Sequence, residues 1–272
     1  MAATNARSVV FDLFGDYIRY AGGAVGLTTL CELLAPFGVS PEAARTVMTR
    51  LRSEGWFESA KDGRTVTYSL SSKALSMLDE GRDRIFNRDA SPWDGTWHIA
   101  IYQVPEQQRK SREALRKRLM FLGYGSLAPA TWISARDHSS HVTAIVEELR
   151  GSKATLQITQ MTARTAEPES NRDLAQRCWQ LEEINQQYKR WLSEWRPVIK
   201  RIRANKLSEP DALVTRVSLV RSFRSFPFFD PELPPELLPT PWHGVAAYRE
   251  FMDAHQSLEK EATVWFSSIF SP

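Results

Sequence analysis

A chain of 272 residues exceeds the usual size of one compact core, so two or three domains are expected. Its 42% hydrophobic and 11% aromatic content exclude a disordered chain, and a formal net charge of +3 is too small to assign a polyanionic partner by itself. Cys31 and Cys178 offer no disulfide framework or thiolate cluster. No segment approaches the roughly 18–20 apolar residues of a membrane span and the N-terminus lacks an export core, so a cytoplasmic protein away from the membrane is expected.

The first domain is expected over residues 1–90. Val9, Val10, Leu13, Phe14 and Tyr17 make a short helical pattern, which the glycines of AGGAVG interrupt. A second helix starts near Leu27, buries Leu30, Leu33 and Leu34, and is closed into a turn by Pro36 and Gly38. SPEAARTVMTRLRSEGWF follows, with Ser40 as N-cap, Pro41 at the first helical position and Gly55 as the stop. Ala44, Val47, Met48 and Leu51 fall at i, i+3, i+4 and i+7, an apolar stripe that leaves Arg45, Thr46, Thr49 and Arg52 outward and Arg50 at the margin.

Two β-forming runs come next, with Lys61, Asp62 and Gly63 at the bend between them, and SSKALSMLDEGRDRIF resumes a helix. Helices followed by a charged hairpin make the order of a winged helix-turn-helix, whose second turn helix enters the major groove while the hairpin touches phosphates. The candidate DNA-binding residues are therefore Ser40, Glu42, Arg45, Thr46, Thr49 and Arg50 on the helix, with Lys61 and Arg64 on the wing. Residues 1–90 hold eleven basic and eleven acidic side chains, so the basic ones must be gathered on one face to serve this purpose. From Ser40 to Lys73 the balance is six basic to four acidic. The competing reading is a winged helix used for protein contacts.

A second domain is expected over residues 91–170. TWHIAIYQVP is apolar on both faces, as an interior strand is. QQRKSREALRKRLMFLGYG is a helix burying Leu115, Leu119 and Leu122, and it carries Arg109, Lys110, Arg112, Arg116, Lys117 and Arg118 against Glu106 and Glu113. Such a face can extend a DNA surface, but a solvated helix is the simpler explanation. ATWISAR reads as a strand, HVTAIVEELRG as a helix and KATLQITQMT as a strand, which together suggest a ferredoxin-like α+β domain. His138 and His141 have no companion ligand at metal-binding spacing, so no metal is expected.

Residues 171–272 are expected to be mostly helical. Apolar residues recur from Leu174 to Ile202 in steps of three and four, a long helix with a bend expected near Pro197, serving as bundle packing or as a dimer seam. A helix over about Pro210 to Phe223 follows, then the proline-rich FPFFDPELPPELLPTPW, then one helical pattern to the end. A connector this rich in proline is functional or a fixed packing element.

Four segments carry a family resemblance: LFGDYIRY from Leu13, GVSPEAARTVMTRLRSEGWF from Gly38, WDGTWHIAIYQVPE from Trp93, and FPFFDPELPPELLPTPWHG from Phe226. Through them nearly the whole chain resembles the PaaX-type transcriptional repressors of phenylacetic acid catabolism. The resemblance implies an α+β protein with an N-terminal winged helix, a central domain similar to the CRISPR-associated Cas2 protein, and a C-terminal helical domain for effector and dimer. It further implies a homodimer on double-stranded operator DNA, released by an aryl-acyl-CoA such as phenylacetyl-CoA or another aromatic small molecule, with no cofactor and no enzymatic activity. The Cas2 kinship raises an alternative, a metal-dependent nuclease in the central domain. That chemistry needs a carboxylate where the first strand ends, and Tyr102, Gln103, Val104 and Pro105 stand there instead.

Overall fold

The computed structural model describes residues 6–62, 65–88, 91–151, 155–167 and 170–270. Helix α1 (Ala6–Asp16), strand β1 (Ala24–Gly26), helices α2 (Leu27–Leu34) and α3 (Pro41–Ser53), strands β2 (Phe57–Asp62) and β3 (Thr65–Leu70) and helix α4 (Ser72–Phe86) follow in order. The strands form one antiparallel sheet in the order β1-β3-β2. This is the element order of a winged helix. Its interior is the set that the spacing predicts: Val9, Val10, Leu13, Phe14, Leu30, Leu33, Leu34, Met48 and Leu51 are buried. β1 arises where only an interruption was expected, because Gly22 and Gly23, both at positive φ, turn the chain so that Ala24–Gly26 pairs with Ser69, Tyr68 and Thr67.

The central elements are β4 (Trp97–Gln103), α5 (Arg109–Phe121), β5 (Gly125–Ala128), β6 (Thr131–Ser134), α6 (Ser139–Gly151) and β7 (Gln157–Ala163). The sheet order β5-β6-β4-β7 makes β4 interior, paired antiparallel to β6 and β7, as its two apolar faces require. Ala100, Tyr102 and Trp132 from the sheet pack with Leu115 and Leu119 of α5 and Val142, Ile145 and Val146 of α6. Leu122, expected in this core, is only partly buried against it.

Then come α7 (Ser170–Cys178), α8 (Leu181–Arg203), α9 (Glu209–Phe223), α10 (Gly244–Ser257) and α11 (Glu259–Ile269). The long helix expected from Arg172 breaks between Cys178 and Leu181, and Pro197 lies within α8 without ending it. The break has a tertiary cause: Trp179 donates its indole N–H to the Gly123 carbonyl at 3.2 Å and lies against Gly125, where a Cβ would come within 2.5 Å of the ring. The final helix likewise divides in two, at buried Leu258.

The chain forms two compact units. One comprises Arg88–Arg190 and Ser225–Ala246, and it contains the proline-rich connector. The connector is a fixed packing element. Phe226 stacks on Tyr188 with centroids 4.0 Å apart, and buried Asp230 accepts hydrogen bonds from the Tyr188 hydroxyl and from the backbone N–H of Glu232 at 2.9 Å. Asn185 donates to the Pro241 carbonyl and accepts from the His243 N–H, each at 2.8 Å. Burial, with Asp230 alongside, pushes the Tyr188 hydroxyl well above its usual pKa, so it remains a donor.

The other unit joins Met1–Asn87 with Trp191–Arg224 and Ala247–Pro272. Here α9 grips α1: Arg221 and Arg224 both donate to the buried carboxylate of Asp12, Arg221 through Nη2 at 2.8 Å. On the other side of α1, Phe14 meets Phe57 with ring centroids 4.7 Å apart, and Arg7 pairs with Glu54 at 2.6 Å. Helix α1 is thus a strut with the C-terminal helices on one flank and the α3–β2 corner on the other.

Candidate nucleic-acid interface

The surface carrying the candidate residues is built around the start and stop of α3. The Ser40 hydroxyl accepts from the Ala43 N–H at 3.2 Å, Pro41 occupies the first turn where its missing N–H costs nothing, and Glu42 sits at the positive end of the helix. Hydrogen bonds from its own N–H and from Ser40 hold the Glu42 carboxyl below its usual pKa. Gly38 (φ +73°) turns the chain into α3 and Gly55 (φ +74°) turns it out.

Ala44, Met48 and Leu51 are buried, while Val47 is half-buried beside Arg7, Arg50 and Glu54. Ser40, Glu42, Arg45, Thr46, Thr49 and Arg50 are all exposed, so the structure brings the six helix candidates onto one accessible surface. Their chemistry differs. The Thr46 and Thr49 hydroxyls donate to the Glu42 and Arg45 carbonyls, each at 2.9 Å, which leaves an acceptor lone pair and a methyl group for a base edge. Arg50 donates through Nε to Glu54 at 2.9 Å. Arg45 reaches only a distant pairing with Glu42 at 4.0 Å, so its guanidinium fork is the least engaged on the face. Hydrogen bonds from Arg7 and Arg50 keep Glu54 below its usual pKa and therefore charged.

The hairpin alters one expectation. Lys61 and Asp62 are not at the bend but within β2, paired with Val66 and Thr65, while Gly63, the third residue expected there, lies outside the described residues. Lys61 is exposed near the end of β2, and Arg64 lies outside the described residues. Three further basic residues join this surface: Arg52, which the helical spacing had already turned outward, and Lys73 and Arg7, which it did not single out. Lys73, at the start of α4, sits 4.0 Å from the Trp56 ring centroid; Arg52 donates to Ser59 at 3.3 Å; and Arg7 bonds Glu54. Lys73 had a signal, since it is the first cation after the hairpin, whereas Arg7 is joined to α3 only by tertiary contact.

The basic helix of the central domain has a different character. Arg112 makes a two-pronged pair with Glu106 at 2.7 and 3.2 Å, Arg118 does the same with Glu148 at 2.6 and 3.2 Å, and Arg116 lies 3.4 Å from Glu113. The same Arg112 fork occupies Glu106, the first carboxylate after β4. His138 and His141 have ring centroids 6.1 Å apart, and no group of three His, Cys, Asp or Glu is assembled among the described residues. No helix among them is long and apolar enough to cross a membrane.

Three family models match the chain in succession. They are a PaaX-like protein model over residues 5–74, the PaaX protein central Cas2-like domain over 90–175, and the PaaX-like protein C-terminal domain over 179–268. The Transcriptional repressor PaaX of Escherichia coli (strain K12) is 28% identical over 265 residues, covering 97% of this chain and 83% of the relative. The solved structure of the uncharacterized protein Rv0674 from Mycobacterium tuberculosis shares the fold. It has a TM-score of 0.65, 24% identity, and coverage of 97% and 98% of the two chains.

Proposed function

The chain belongs to the PaaX-like family, and on that premise we propose that it is a sequence-specific, DNA-binding transcriptional repressor of the cytoplasm. Residues 1–90 serve as the DNA-binding domain, 91–170 as the central Cas2-like domain and 171–272 as the effector and dimerisation domain. The protein acts as a homodimer, with two copies of α3 in successive major grooves of an inverted-repeat operator, their centres one or more turns of roughly 10 bp apart. A small aromatic effector, either an aryl-acyl-CoA such as phenylacetyl-CoA or another aromatic molecule, releases it.

The observation that carries this reading is the exposed face of α3. Arg45 presents a nearly unpaired guanidinium, and Thr46 and Thr49 present methyls and acceptors, in the helix position that a winged helix directs into the groove. Arg45 is assigned to a base edge, and Arg50 and Lys61 to phosphates. Ser40 and Glu42 set the first turn, where helix N–H groups approach the backbone of the duplex. A gel shift with the protein's own upstream DNA, repeated with aryl-CoA thioesters and aromatic acids, tests the reading: a shifted band that the effector removes supports it. Absence of any shift at low salt contradicts it.

A further inference from the structure

At the end of β4 a cavity of about 1180 Å³ opens between the β5–β6 hairpin and the first turns of α5, within the unit that holds the central sheet. Its floor is Tyr102 and Trp132, on neighbouring strands and on the same face of that sheet. They are only 5% and 3% exposed. Yet the Tyr102 hydroxyl and the Trp132 indole N–H make no hydrogen bond among the described residues, and neither atom is sealed from solvent, so both tips open on the cavity. Arg112 lies within electrostatic range of the Tyr102 oxygen, and the Arg116 guanidinium stands 6.0 Å from the Trp132 ring centroid. Arg112 is engaged by Glu106 at 2.7 and 3.2 Å and Arg116 by Glu113 at 3.4 Å, whereas exposed Arg109 forms no ion pair among the described residues. Buried polar groups ordinarily find partners, so unused donors gathered at one cavity point to a ligand.

We infer that this cavity binds a small aliphatic carboxylate that carries a hydroxyl or keto oxygen, its carboxylate between the two buried donors and the arginines of α5. The donor set selects the class. Indole and guanidinium nitrogens only donate, so the group they face is an acceptor. Three arginines against Glu106 and Glu113 leave an excess of one positive charge, which suits a single carboxylate and not the several phosphates of a nucleotide or a coenzyme.

The body of the ligand is aliphatic because the wall offers no ring face. Tyr102 and Trp132 are packed into the core, Arg116 stands over the latter, and the apolar lining is otherwise Val104, Pro105, Ala128, Pro129 and Ala130. Gln103 and Gln157, cross-strand partners in β4 and β7, bring amides that make no hydrogen bond among the described residues. An amide both donates and accepts, so this pair can meet a hydroxyl or a keto group on the ligand.

Binding here does not rest on the repressor reading, and its test contains no DNA. Isothermal titration of the full chain with lactate, 3-hydroxybutyrate and levulinate is run beside inorganic phosphate, phenylacetate and sodium chloride at matched ionic strength. At least one of the three aliphatic acids should bind saturably. In the chain labelled with nitrogen-15 tryptophan it should move one indole resonance, the one that Trp132→Phe removes. Tyr102→Phe, which deletes only the hydroxyl, and Arg109→Gln, at an exposed position, should each weaken binding about fivefold or more. The inference is overturned if none of the three acids binds at millimolar concentration, if phosphate or phenylacetate binds as tightly, if either variant leaves the affinity unchanged, or if the resonance that moves belongs to another tryptophan. Should Trp132→Phe fail to fold, the affinities of Tyr102→Phe and Arg109→Gln decide alone.

Discussion

Helices α3 and α5 have the same length, 13 residues, and differ in how many basic side chains they carry and in where the fold places them. Helix α5 and its approach carry six basic side chains, yet Arg112, Arg116 and Arg118 are each joined to a carboxylate. Helix α3 carries only Arg45, Arg50 and Arg52, but Arg45 is nearly unpaired and its neighbours on the surface are threonines. Arg109, Lys110 and Lys117 of α5 form no ion pair among the described residues, so residual charge does not choose between the helices. Helix α3 is chosen by its place as the second turn helix of the winged helix, where Thr46 and Thr49 beside Arg45 offer methyls and acceptors to base edges.

Pairing also differs between surface and interior, and the largest predicted effect comes from that difference. Asp12→Ala removes the carboxylate from beneath Arg221 and Arg224 and should destabilise the chain by about 3–5 kcal/mol in urea unfolding. Glu148→Ala, at an exposed pair of α5, should cost less than about 1 kcal/mol. Next in size is Arg45→Ala, which should lose about 1–3 kcal/mol of operator binding and relax preference at one base pair, as a competition titration against single-base variants would reveal. Ser40→Ala deletes the cap of α3 and should cost about 1 kcal/mol of stability. The smallest effects probe neutralisation directly. Glu54→Gln removes the carboxylate that neutralises Arg50 and should tighten DNA binding a few-fold, while Lys61→Ala should weaken all sequences alike and lower the salt slope by about one. Tighter binding on freeing Arg118 through Glu148→Gln would break the comparison.

Much of this was legible in the chain. The α3 boundaries follow from Ser40, Pro41 and Gly55, and the buried Ala44, Met48 and Leu51 follow from helical spacing, so the exposure of Arg45, Thr46 and Thr49 could be read by difference. Interior β4 was equally plain, because both its faces are apolar. Elements too short for a period were not. β1 has three residues and borrows its pairing from β3, and β5 has four with a register shift between Ser126 and Ala128. The α7–α8 break was misplaced to Pro197 because proline carries a local signal, whereas the Trp179–Gly123 bond and the space at Gly125 are visible only in three dimensions. Pairing was the least legible feature of the site. Arg50 with Glu54 is a plain i, i+4 pair, but Arg7 with Glu54 spans 47 positions and Arg118 with Glu148 spans 30.

A salt-controlled titration of operator DNA with two triple variants tests the central claim most directly. Arg45→Ala, Thr49→Ala and Arg50→Ala together should abolish specific binding, whereas Arg112→Ala, Arg116→Ala and Arg118→Ala together should leave it within about threefold, since their charge is already neutralised. Unchanged affinity in the first set, or a comparable loss in the second, would contradict the assignment of α3 as the reading helix.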